Sequence, residues 1–89
     1  MKSIKELKNP DIIEINGQKF QVVENTSVHY DTKKKELVMA LYLVREGERK
    51  ITPKYRLEYF HDRPDEIRFF IFDENSKNWK EEKIESVNF

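Results

Sequence analysis

Along most of this chain apolar and polar residues alternate, but residues 37–44, Leu-Val-Met-Ala-Leu-Tyr-Leu-Val, are eight apolar or aromatic residues in succession. Such a run, bounded by polar loops, marks a strand covered on both faces. Extended, it spans about 26 Å, whereas as a helix it makes only about two turns. Upstream lies Asp31-Thr32-Lys33-Lys34-Lys35, and downstream Arg45-Glu46-Gly47-Glu48-Arg49, each with the composition of a hairpin connection. A buried helix over 36–45 is the competing reading, because Leu, Met and Ala are good helix formers. The flanking loops favour the strand, and any core must be built against it.

The other segments are read from the same periodicity. Residues 11–15 and 18–23 flank Asn16-Gly17, the dipeptide of a type I′ turn, and form the clearest hairpin in the chain. From Phe20 the even positions (Phe20, Val22, Glu24, Thr26, Val28, Tyr30) make a half-buried face, weak over 24–27, where a bulge or bend is expected. Residues 50–61 alternate, with Ile51, Pro53, Tyr55, Leu57 and Tyr59 on the apolar face; Pro53 has no amide donor and delays that strand or leaves it at an edge. After a turn over 61–65, residues 66–73 carry Ile67, Phe69 and Ile71 on one face and Arg68, Phe70 and Phe72 on the other. Residues 79–84 are read as a strand closing a hairpin with 66–73, although Trp79, Lys83, Ile84 and Val87 also trace a helical stripe. At the N-terminus Ser3-Ile4-Lys5-Glu6 has capping-box spacing, and Pro10 ends any helix by Asn9.

Five to six short strands at hairpin spacing predict an all-β or β-rich α+β domain. It is an antiparallel meander curled into a barrel or half-barrel, with a short N-terminal helix. One domain spans 1–89, with a lead-in over 1–9, a β body over 11–84 and a tail over 85–89. A single sheet with a helix laid across one face is the second choice. No stretch of the sequence carries a family signature.

Composition narrows the options. At 89 residues the core is thin, and without cysteine neither disulfides nor thiolate metal sites reinforce it. The 17 basic and 17 acidic residues cancel, which removes any bulk attraction for nucleic acid or an anionic membrane. The distribution is uneven: residues 1–63 carry 13 basic against 10 acidic (net +3), and residues 64–89 carry 4 against 7 (net −3). With no apolar run near the ~18 residues of a membrane span and no secretory h-region, the expected location is the cytoplasm.

Catalytic chemistry finds little support. Cysteine nucleophiles are excluded, no serine stands in a Gly-flanked elbow near His29 or His61, and Gly17 and Gly47, the only glycines, fall in turns rather than a phosphate loop. His61, Asp62, Asp65 and Glu66 supply nitrogen and oxygen ligands within one turn, but they equally suit turn chemistry. Asp73-Glu74-Asn75 lacks the remainder of a calcium loop. No cofactor and no catalytic residue is assigned.

The strongest candidate surface joins cations and rings. Lys50, Lys54 and Arg56 share an even-numbered face with Phe60, and Arg68, Phe70 and Phe72 share the next strand's even face. Paired through the 61–66 turn, the two strands place all seven on one surface. The leading expectation is a non-enzymatic interaction module that offers this face to a protein partner or a second copy of itself. The alternative is a small β-barrel binding single-stranded nucleic acid by base stacking and phosphate contacts. Third comes a His61-based metal or hydrolytic site with Asp62 or Asp65. The bland possibility is a second core layer formed by Phe60, Phe70 and Phe72 under the N-terminal helix or the tail.

Overall fold

The computed structural model describes residues 3–48 and 52–89. Seven strands, β1 (Ile12–Ile15), β2 (Gln18–Asp31), β3 (Glu36–Arg45), β4 (Tyr55–Phe60), β5 (Arg63–Asp73), β6 (Asn78–Glu82) and β7 (Val87–Asn88), form one antiparallel sheet in the order β6-β5-β4-β3-β2-β1-β7. The fold is all-β, a sheet curled into a half-barrel, and the helix alternatives for 36–45 and for the tail do not apply. Its only helical element is a single 3-10 turn, Ile4–Glu6, among the described residues. No helix is long and apolar enough to cross a membrane among the described residues.

β3 occupies the middle of the sheet, paired with β2 on one side and β4 on the other. Leu41 and Leu43 point inward and are fully buried, and on the opposite face Val38, Ala40 and Val44 are also buried, which explains why the run is unbroken. The inner layer is completed by Ile13, Ile15, Phe20, Val22, Leu57, Tyr59 and Phe69. Phe20 lies 4.8 Å from Tyr55 and 5.7 Å from Phe69, centroid to centroid, so three strands meet at one aromatic contact.

The weak middle of the second strand is a pair of irregularities. β2 runs 14 residues, and its register against β3 slips between Val22 and Glu24 and again between Ser27 and His29. Each slip moves the inward parity by one residue. Phe20 and Val22 face the core, but beyond the first slip Asn25 stands opposite Leu41, and Tyr30 ends 55% exposed rather than on a continuous half-buried face. Asn25 uses its inward position. Its amide shares bonds with the carbonyls of Ile4, Lys5 and Leu7, and its Oδ1 accepts from the Tyr59 hydroxyl at 2.7 Å. Burial pushes the Tyr59 phenol up, and the bond to Asn25 offsets part of that. The N-terminal segment is thereby pinned over one end of the half-barrel, with Ile4 and Leu7 buried. The capping box does not form as expected: the Ser3 hydroxyl accepts from the Lys5 amide, and Glu6 N–H donates to the Ser3 carbonyl instead.

Strand boundaries differ at two places. β4 begins at Tyr55, after Pro53, and Lys50 and Ile51 lie outside the described residues. β5 begins at Arg63 rather than 66, so the β4–β5 connection is the tight turn at His61-Asp62, with a register shift absorbing the extra residues.

The larger difference is in the tail. Residues 85–89 do not trail off; β7 pairs with β1 at the opposite edge of the sheet from β6. β6 and β7 run in the same direction, and together they read as one bent strand whose first half lies on β5 and second half on β1. Only residues 83–86 separate them, so the two edges approach within about 18 Å there. Asn16, in the left-handed region at φ 50 as the type I′ turn requires, holds the crossing. Its Nδ2 donates to the Lys83 carbonyl at 2.9 Å, its Oδ1 accepts from the amides of Glu85 and Ser86 at 2.6 and 3.2 Å, and its own N–H donates to the Ser86 carbonyl.

Asn16→Gly keeps the turn conformation and deletes only the side-chain bonds to 83–86. It is expected to lower stability by about 1–2 kcal/mol, with the loss of slow amide exchange concentrated at Glu85 and Ser86. Urea titration and hydrogen exchange check both, and an unchanged midpoint would mean that the crossing holds without the latch.

Candidate functional site

The outer, convex side of β4, β5 and β6 carries the cation and aromatic residues. Antiparallel pairing places Arg56 directly opposite Phe70 and Glu58 opposite Arg68, while Phe70 faces Glu81 and Phe72 faces Trp79. Because side chains alternate, all of these leave the sheet on the side away from the core. Of the seven residues named from the sequence, Lys54, Arg56, Phe60, Arg68, Phe70 and Phe72 stand on this face. Lys50 is outside the described residues.

Arg56 is its centre. The guanidinium lies 4.5 Å from the Trp79 ring centroid and 5.2 Å from that of Phe70, and its Nη2 is 2.9 Å from Glu58 Oε2. The side chain is only 18% exposed, and its Nε is buried without a hydrogen-bond partner. Lys54 repeats the arrangement one row along, 4.7 Å from the Phe72 centroid and 3.2 Å from Glu74. Arg68 binds Glu81 with two nitrogens, at 2.7 and 3.3 Å, and lies over Phe70. Phe60 receives Lys34 and Arg63 on its ring, and Arg63 in turn pairs with Glu36 and Glu66. On a solvated surface each such cation–ring contact and each exposed ion pair is individually weak. Their joint effect is to hold long side chains in one arrangement.

Phe60, Phe70 and Phe72 are half-buried and belong to neither the inner core nor a layer beneath the N-terminal segment, which packs on the inner side through Ile4 and Leu7. Tyr42, opposite Arg56 on β3, and Trp79 extend the ring system and were not singled out from the sequence. The signal for Trp79 is the 66–73/79–84 hairpin, which sets it opposite Phe72. Of the carboxylates that pair with the cations, Glu58 shares the even parity of Lys54 and Arg56, whereas Glu74 lies in a loop and Glu81 in the weakly periodic tail.

The 61–66 turn does not gather ligands. His61 and Asp62 form an exposed hairpin tip, with side chains 48% and 74% exposed and 3.5 Å apart. Glu66 is taken by Arg63, and Asp65 lines a groove that His61 does not reach. No group of three or more His, Asp or Glu side chains able to hold a metal ion occurs among the described residues. In the second candidate, Asp73 accepts from the amide of Asn75 and the hydroxyl of Ser76 and pairs with Lys80, which is turn chemistry. His29 stands with Asp31, Lys34 and Arg68 around a depression of about 140 Å³ at one end of the outer face. That is well below the ~300 Å³ at which small-molecule sites begin.

Comparison with known family models, with curated proteins and with solved structures finds no match. The site must therefore be read from its own chemistry.

Two carboxylates tie this region to pH. The hydrogen bond from Arg68 holds the Glu81 carboxyl below its usual range, and Lys80, with the Asn75 amide and the Ser76 hydroxyl, does the same for Asp73. A carboxyl whose folded-state value is depressed contributes stability above its unfolded value and loses it as pH falls through the folded value. The urea midpoint is thus expected to fall as pH drops through and below the ordinary carboxylate range, and the acid limb should be shallower in an Asp73→Asn/Glu81→Gln double variant. An identical limb in the variant would show that these contacts add nothing on the solvated surface.

Proposed function

We propose that this chain is a non-enzymatic interaction module that presents the outer face of β4–β6 to a protein partner or to a second copy of itself. The observation that carries the reading is Arg56, clamped between Phe70 and Trp79 on the solvent side of a sheet whose core lies on the other side. Aromatic residues and Arg dominate binding energy at protein interfaces. Side chains already held in one rotamer lose little further freedom on docking. The neutral charge supports a protein rather than a polyanion. Lys54, Arg56 and Arg68 are each matched by a glutamate, whereas a single-stranded nucleic acid needs cations free to follow its phosphates. Absence of cysteine suits a reducing compartment, and the cytoplasm is the proposed place of action. No cofactor is invoked.

Sedimentation velocity over a wide concentration range tests the self-association form. The mass of the intact chain should rise with concentration, and Arg56→Glu should weaken association about tenfold. A strict monomer at every concentration removes the second copy. Crosslinking from a photoreactive group at Phe72, lost in Arg56→Glu but retained in Ile12→Thr on β1, near the other end of the sheet, would then support a separate partner. Binding of labelled single-stranded DNA that falls steeply with salt, and is weakened by Lys54→Glu, would replace this reading with the nucleic-acid alternative.

A further inference from the structure

A second surface lies where the half-barrel fails to close. β6 accompanies β5 only from Asp73 back to Phe69, opposite Glu82. Among the described residues, the first half of β5, from Arg63 to Arg68, therefore has a neighbour on the β4 side alone. Across the gap, β7 pairs with β1 on one side and, among the described residues, with nothing on the other. Between the two edges runs a groove of about 440 Å³ lined by Ile4, Pro64, Asp65, Ile67, Val87 and Phe89.

The backbone on both banks is aimed into this groove. Along an antiparallel strand, successive residues direct their N–H and C=O groups to opposite sides. Phe72 N–H donates to the Lys54 carbonyl on the β4 side, and β5 stays in register down to Ile67, so the amide and carbonyl of Ile67 point away from β4. On the other bank, Asn16 N–H donates to the Ser86 carbonyl and Glu14 is paired with Asn88, so Val87 directs its backbone groups away from β1. Among the described residues neither has a ladder partner on the groove side. Two donors and two acceptors thus face each other over an apolar floor formed by the side chains of Ile67, Val87 and Ile4. An extended chain satisfies both kinds of group, and a globular surface satisfies neither.

Charge selects among extended chains. Among the described residues, the one charged side chain on the groove's lining is acidic, that of Asp65. Asp65, on its lining, has no ion pair among the described residues, whereas its neighbour Glu66 is held by Arg63. Pro64 offers no donor and ends the usable edge, so the segment accepted is short.

We propose that the seam between β5 and β7 binds a short extended segment of a partner protein as an added strand, with apolar side chains at alternate positions and a basic residue beside Asp65. This surface is separate from the outer face, and neither reading depends on the other. The probe is a blocked peptide, acetyl-Lys-Val-Thr-Val-Lys-amide, titrated into the ¹⁵N-labelled intact chain. Amide shifts should concentrate at Ile67 and Val87, with slowed exchange at both. N-methylation of the peptide backbone should weaken binding about tenfold, and Asp65→Lys, an exposed change that leaves the core alone, should weaken it about threefold. A peptide that binds equally well when N-methylated overturns the added strand, as does one whose shifts fall at Phe70 and Trp79. No shift at millimolar peptide overturns it too. Protection of Ile67 and Val87 that grows with the concentration of the chain alone would assign the groove to a second copy and overturn the partner segment.

Discussion

A single sheet with no helix longer than one 3-10 turn among the described residues buries a core by folding onto itself, and the rest of the structure depends on that constraint. Leu41 and Leu43 on β3 need cover that no second layer supplies. The slips in β2 and the bent β6–β7 strand bring Ile13, Ile15, Phe69 and the N-terminal Ile4 and Leu7 over them. The curl leaves a convex outer side with no second layer above it among the described residues. It is there that large residues the core cannot take, Phe70, Phe72 and Trp79, are stabilised by cations lying on their rings.

The outer face is therefore ordered without being buried. Arg56 is the clearest instance. It bonds a carboxylate, contacts two rings and still keeps a buried Nε without a partner. Stability alone does not require that arrangement, because a well-packed apolar side chain at this position would leave no donor unsatisfied. An ordered, charge-matched surface rich in aromatic residues and Arg is the basis of the interaction role proposed above.

Much of this was legible in the sequence because local pattern and tertiary demand agree. The unbroken 37–44 run is a strand covered on both faces, Asn16-Gly17 makes its turn, and the polar stretch at 24–27 falls where β2 breaks register. Even-numbered parity on β4 and β5 was enough to place Arg56, Arg68 and Phe70 together. What escaped was set by distant partners. β7 is two residues long, too short for any period, and exists because Asn16 binds a segment 67 to 70 positions away. The start of β5 at Arg63 was hidden by the turn-like composition of Asp62 to Asp65. The seam needs both facts, so periodicity could not foresee it.

β6 has a peculiarity with a wider consequence. Lys80 and Glu82 share the side of Ile71 and Phe69, yet both are exposed, so no apolar layer lies beneath this strand. It is held by its ladder to β5 and by Trp79 and Glu81 on the outer face. A ligand that claimed the Trp79 ring or the Arg56 guanidinium would draw on the contacts that keep this edge strand down. Occupancy above the sheet and detachment at its margin would then be two ends of one equilibrium.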